Sequence, residues 1–196
     1  MSWLTSVGIP QGILGDPEGE DETGVVRRGG EFVSLDSADY ELWLFLLVPL
    51  PLATIVETAA RREWLHPEAT TKRLLERGLL VEIGPGEALG PGLDQLRPLP
   101  LGIGIGNTPS APKEFRLQSA DRSLPRPVVL DPIGVMLWWE CDGASPLGEI
   151  SSRVAARCPQ LPPAALDQVT VGFARDLMAN RLLYLDSPPR GSAAGG

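Results

Sequence analysis

The sequence predicts an α+β fold of tandem winged-helix-like lobes, each with three helices and a small antiparallel sheet. Two observations carry this: a gapless internal repeat, and the order strand, three amphipathic helices, strand within each copy. Leu35-Asp36 and Trp43 recur as Leu130-Asp131 and Trp138, an offset of 95 positions. The register also places Leu42 on Leu137, Pro51-Leu52 on Pro146-Leu147, Ile55 on Ile150, Ala60 on Ala155 and Arg62 on Arg157. Leu79-Leu80 answers Leu182-Leu183 at an offset of 103, so the second copy is eight residues longer. The surplus falls in the proline-rich stretch 158–163 or in a longer third helix.

Each copy opens on a short strand, 32–35 and 128–130. Asp36 and Asp131 follow as N-caps whose carboxylates accept the free amides of the first helical turn. Pro132 stands at the favoured first helical position of the second copy. Asp142-Gly143 is a turn dipeptide that ends the first helix there, and Ser145-Pro146 reads as the cap and start of the next. That helix puts Leu147, Ile150 and Val154 on one face, as Leu52, Ile55 and Ala59 do in the first copy. Third helices follow over 67–77 and around Leu166, Val169, Phe173 and Leu177. They stop at Gly78 and Asn180, residues suited to a left-handed C-cap. Strands over 79–83 and 182–185 close the copies.

Between the copies, residues 84–125 hold 14 glycines and prolines, which excludes helix. Two strand candidates there, 101–105 and 114–118, can pair with 128–130. The predicted organisation is a flexible acidic segment (1–24), a degenerate lobe (25–83), a connector (84–125), a second lobe (126–186) and a disordered tail (187–196).

A chain of 196 residues with 43% hydrophobic content and mean hydropathy +0.02 is expected to fold. Its net charge is -8, with Asp16, Glu18, Glu20, Asp21 and Glu22 in a stretch that lacks Lys and Arg. Such a balance disfavours nucleic acid, whose non-specific affinity comes from protein cations. No secretory signal opens the chain, and the apolar run 42–56 is too short and too proline-broken to span a bilayer, so a cytoplasmic protein without a membrane partner is expected.

Cys141, Cys158 and the lone His66 do not make a usual zinc set, and both thiols read as buried filler. His66 precedes Pro67 with no nucleophile in a recognisable context, and reads as a loop or cap residue. Gly102-Ile103-Gly104-Ile105-Gly106 resembles a phosphate loop only superficially, because no strand-to-helix junction frames it. Neither catalysis nor a cofactor is expected. Trp43 and Trp138 read as core; Trp64 and Trp139 are candidates for a lobe interface or a partner contact. Arg61, Arg62, Lys72, Arg73 and Arg77 form a basic patch, read as a solvated face, as a contact for an acidic peptide or for the chain's own acidic N-terminal segment, or as a contact for DNA.

Val129-Leu130-Asp131-Pro132-Ile133-Gly134, Leu137-Trp138, Asp142-Gly143, Leu147, Glu149-Ile150 and the closing 177–183 together resemble the PqqD-like family, the RiPP recognition elements. The resemblance is clear over 126–186 and faint over 31–83. It departs from the family in Asn180-Arg181, where a glycine is usual, and in a first copy that lacks the Asp-Gly turn. It implies a non-catalytic protein that captures the leader of a ribosomally made precursor peptide and presents it to a separate modifying enzyme. The leader would add as a strand at Val128, Val129 and Leu130. The groove wall expected on that basis is Gln168, Val171, Gly172 and Arg175. The alternative is a winged-helix transcriptional regulator, for which the third helix of the second copy is poorly suited, since Asp167 and Asp176 offset Arg175.

Overall fold

The computed structural model describes residues 2–14, 22–62, 64–84, 89–108, 111–119 and 127–189. It divides into one unit of residues 1–83 with 185–196, and another of residues 84–184. Mixed α and β structure with six helices and small antiparallel sheets is present among the described residues.

The first unit runs β1 (Trp3–Ser6), β2 (Ile9–Leu14), β3 (Thr23–Arg28), β4 (Glu31–Leu35), α1 (Ser37–Phe45), β5 (Leu50–Pro51), α2 (Leu52–Arg61), α3 (Pro67–Glu76) and β6 (Leu80–Ile83). Its sheets have the orders β5-β1-β6 and β2-β3-β4. The second copy follows as β7 (Arg97–Pro100), β8 (Gly102–Thr108), β9 (Ala111–Ser119), β10 (Val128–Leu130), α4 (Pro132–Glu140), α5 (Leu147–Arg157), α6 (Pro163–Ala179) and β11 (Leu183–Asp186). Here the orders are β10-β9-β8 and β11-β7. The strand candidates 101–105 and 114–118 are thus β8 and β9, and the glycine-rich run 102–106 is an edge strand followed by another strand.

The duplication extends further upstream than the gapless repeat indicates. Four strands precede the first helix in each copy. The Val7 amide donates to the Leu79 carbonyl at 2.8 Å, and the Leu101 amide donates to the Leu182 carbonyl at 2.8 Å. The expected flexible segment 1–24 is corrected accordingly: residues 3–6 and 9–14 form β1 and β2, and Thr5, Ser6 and Val7 are buried. Residues 15–21, which hold most of the acidic cluster, lie outside the described residues. Residues 185–187 return to the first unit, where the Gly29 amide donates to Asp186 Oδ1 and the Arg28 Nε to Ser187 Oγ. Residues 190–196 also lie outside the described set. The expected connector belongs, in its described part, to the second unit.

Capping explains where the first helices start. The Asp36 carboxylate accepts the Asp39 amide at 2.7 Å, and the Asp131 carboxylate accepts the Gly134 amide at 2.7 Å. Each such cap is worth about 1 kcal/mol. Ser145 is not a cap, contrary to expectation; α5 begins on Pro146 with no side-chain cap. Asp142 organises that turn instead, accepting the amides of Ser145 and Ala144 and the Ser145 hydroxyl. These bonds, the Ser145 amide first, hold the Asp142 carboxyl below its ordinary range.

The third helices carry the extra length, since α3 has 10 residues and α6 has 17. Their stop signals also differ from expectation. Gly78 is left-handed at φ 65° as predicted, but in the second copy Arg181, at φ 52°, takes that conformation. Asn180 keeps a φ of -100° and donates from its side chain to the Asp176 carbonyl at 2.7 Å. That bond supplies a helix-end carbonyl with a donor without any left-handed turn at Asn180.

Trp43 is the centre of the first core, fully buried among Leu4, Val26, Leu35, Tyr40 and Leu79. Its indole N–H reaches two carbonyls, Val7 at 3.3 Å and Leu79 at 3.1 Å. Trp138 is only half-buried, so the expectation of two equivalent core tryptophans holds for the first alone. Trp64 packs edge-on against Phe45 at 5.2 Å, and Arg62 lies over both rings. Trp139 is exposed, its ring edge-on to Phe115.

Cys141 and Cys158 are buried free thiols. Burial, followed by the nearby charges of Asp142 and Glu140, pushes the Cys141 thiol up to about 12. The thiolate is the nucleophile, and at pH 8 it should form only about one part in ten thousand of Cys141. Alkylation of the native protein at pH 8 should therefore leave Cys141 intact until denaturant is added, as peptide mass mapping would read. No helix among the described residues is long and apolar enough to cross a membrane.

Candidate functional site: a strand edge beside a long helix

β10 forms the border of its sheet. Val128, Val129 and Leu130 pair antiparallel with Leu117, Arg116 and Phe115 of β9 on one side. On the other side no strand pairs with it among the described residues. Leu130 is buried and anchors the strand, while Val129 is 49% exposed. A strand fixed at one end by core packing and open along its border is the geometry that accepts an additional strand.

α6 lies along this border and makes a pocket of about 310 Å³ with it. Val128, Val129, Leu130, Asp131 and Gly134 line one wall, and Val169, Gly172, Phe173, Asp176 and Leu177 the other. The structure thus brings together Val128, Val129, Leu130 and Gly172 of the residues singled out from sequence. Gln168, Val171 and Arg175 do not line the pocket: Val171 is turned into the core, Gln168 is exposed, and Arg175 pairs with Asp176 at 3.3 Å. The groove wall is the neighbouring face of the helix, one residue further round. Val169 and Phe173 belong to the apolar stripe of α6, and the signal for them was that stripe, which reads as core in a sequence.

Gly172 is the residue the fold explains least. It sits in the middle of a 17-residue helix, where glycine costs about 0.5–1 kcal/mol relative to alanine. A β-carbon placed there would meet nothing within 4 Å. Packing of the free protein therefore does not demand glycine at this position, which lines the groove. Gly172→Ala should raise the melting temperature by about 1–4 °C in a thermal unfolding experiment. A lower melting temperature would show that the position is sterically constrained after all.

The same place in the first unit is closed. Under the repeat offsets, Ser34 answers Val129, Asp39 answers Gly134, and Arg73 and Arg77 answer Asp176 and Asn180. Asp39, 1% exposed, is bonded to the Arg73 guanidinium and lies 3.6 Å from that of Arg77. The bond to Asp39 holds the Arg73 guanidinium above its ordinary value. Arg77 also donates to the Ser34 carbonyl at 3.0 Å, so a strand-border acceptor is used internally where Val129 stands in the second copy. The rest of the basic patch is likewise matched by the chain's own acids: Arg61 with Glu57, Arg62 with Glu41 and Lys72 with Glu76.

Comparison with protein-family models, curated proteins and solved structures finds no match to this chain.

Proposed function

We propose that this chain is a non-catalytic peptide-binding protein of the PqqD-like kind, built from two winged-helix-like lobes. It recognises the leader of a ribosomally synthesised precursor by strand addition at β10 and presents it to a separate modifying enzyme. The observation that carries the reading is the contrast between the copies. One strand-helix groove is filled by an internal Asp-Arg cluster; the other has lost both arginines, carries glycines at 134 and 172, and stands open.

In this reading the backbone amides and carbonyls of the guest continue the β10 ladder and supply affinity. Alternate guest side chains enter between Val169, Gly172 and Phe173 and set the choice of partner. The DNA-reading alternative gains nothing from the basic patch, because each of its cations faces an acid of the same unit. A helix that offers Asp167 and Asp176 beside Arg175 is a poor ligand for phosphate.

Titration calorimetry at physiological salt tests the proposal against its rival. The leader of a precursor encoded beside this chain should bind with micromolar or better affinity, and duplex DNA should give no heat. Val129→Pro should weaken the leader by removing a ladder donor and stiffening the border. Tight DNA binding with no response to any leader would reverse the assignment.

A further inference from the structure

We propose that the leader seated in the β10 groove carries a cationic side chain, arginine above all, that settles beside Asp131 and Asp176. The inference rests on the strand-addition reading and names the class of leader that the groove admits. The first unit shows the chemistry of the place. There the guanidiniums of Arg73, on α3, and Arg77, just past its end, face the buried Asp39 carboxylate of α1. Arg77 also donates to the border carbonyl of Ser34, one residue before the buried Leu35. The hydrogen bond to Asp39 is the chief cause that holds the Arg73 guanidinium above its ordinary value, and the charges of Asp39 and of the cap residue Asp36 add to it. A cation is thus what this strand-helix space holds when the chain fills it from within.

The second unit keeps acids at this place and lacks the cations. Leu130 stands opposite Phe115 as Leu35 stands opposite Gly24, so Val129 holds the place of Ser34 on the border. Asp131 answers Asp36, caps its helix through the same bond and lines the groove. Gly134 stands where Asp39 does, and Asp176 where Arg73 does. Glycine for aspartate, and aspartate for the longer arginine, leave the pocket of about 310 Å³ with charge of one sign: among the described residues that line it, Asp131 and Asp176 are acidic and none is Lys, Arg or His. Asp131 uses Oδ1 for the Gly134 amide, which leaves Oδ2 for a guest. Asp176, its side chain 65% exposed, meets Arg175 at 3.3 Å, a surface contact that contributes little and that a guest can replace. Such a groove repels an acidic side chain and favours a guanidinium, whose planar fork bonds a carboxylate through two donors.

The test is titration calorimetry of the full chain with the leader of the precursor encoded beside it, and with versions of that leader in which each Arg or Lys is replaced in turn by Gln. One such replacement should weaken binding by about tenfold. Asp176→Asn and, independently, Asp131→Asn should weaken the unaltered leader by about three- to tenfold and leave the affected Gln version nearly unchanged, the coupling that a double-mutant cycle reads. Asparagine caps a helix about as well as aspartate, and a thermal melt reports whether each variant is folded. A leader that binds but contains neither Arg nor Lys, Gln replacements that all leave affinity unchanged, or Asn variants that weaken the unaltered and Gln versions equally would each overturn this inference and leave strand addition standing. A leader that does not bind at all would overturn both.

Discussion

Replacing Gly172 with tryptophan is expected to abolish capture of the leader, a loss of about a hundredfold or more in affinity, while shifting stability by no more than about 1 kcal/mol. The two halves of that expectation come from the same geometry. Apart from the helix's own backbone, no atom lies within 4 Å of where a β-carbon would stand, so the side chain meets no neighbour at its base in the free protein, and the helix is relieved of a glycine. The ring would then occupy the groove between Val129 and Phe173 that the guest side chains need. Calorimetry with the leader and a thermal melt read the two quantities separately. A variant that melts like the parent and still binds at full strength would remove the groove from the account.

The second large effect concerns the fold. Trp43→Ala should destabilise the first unit by about 3–5 kcal/mol, enough to unfold a marginal lobe. A fully buried indole is lost, and with it a donor that reaches carbonyls on two separate segments, Val7 and Leu79, the latter of which also accepts the Val7 amide. Trp43→Phe should recover part of the packing but leave those carbonyls without the indole N–H, so an intermediate loss is expected. Denaturant unfolding followed by circular dichroism checks the order wild type, phenylalanine, alanine. Equal stability of all three would show that the strands before β3 are not held through this side chain.

Where the helices begin was legible because caps and periodicity are local: Asp36 and Asp131 mark helix starts in sequence and do so in the structure. The first two helices of each copy align without a gap because a shift of one residue would turn their apolar faces away from the core. The first two strands of the first copy were not legible, for two physical reasons. β1 has four residues, and its partners β5 and β6 lie far along the chain, so nothing nearby announces it. Gly8 and Ile9 do answer Gly102 and Ile103, but at an offset of 94, one off the helical register, where irregular strands tolerate a slip.

The candidate site was half legible. The short strand next to an aspartate cap pointed to Val128, Val129 and Leu130. On α6 the apolar stripe through Leu166, Val169, Phe173 and Leu177 looked like core, so neighbouring positions were assigned to the groove. In the structure the stripe is wide enough to serve both: Leu166 is buried away from the groove, while Val169, Phe173 and Leu177 line it. The closing of the first-unit groove by Asp39, Arg73 and Arg77 was out of reach, because five cations in a sequence do not reveal which acids they face.

Amide hydrogen exchange across β10 is the measurement that bears most directly on strand capture, taken with and without the leader at saturating concentration. Slower exchange at residues 128–130, together with NMR shifts at Val169, Gly172 and Phe173, is the outcome expected when a guest backbone completes the sheet. A leader that binds tightly yet leaves these amides exchanging at their free rate would contradict the account.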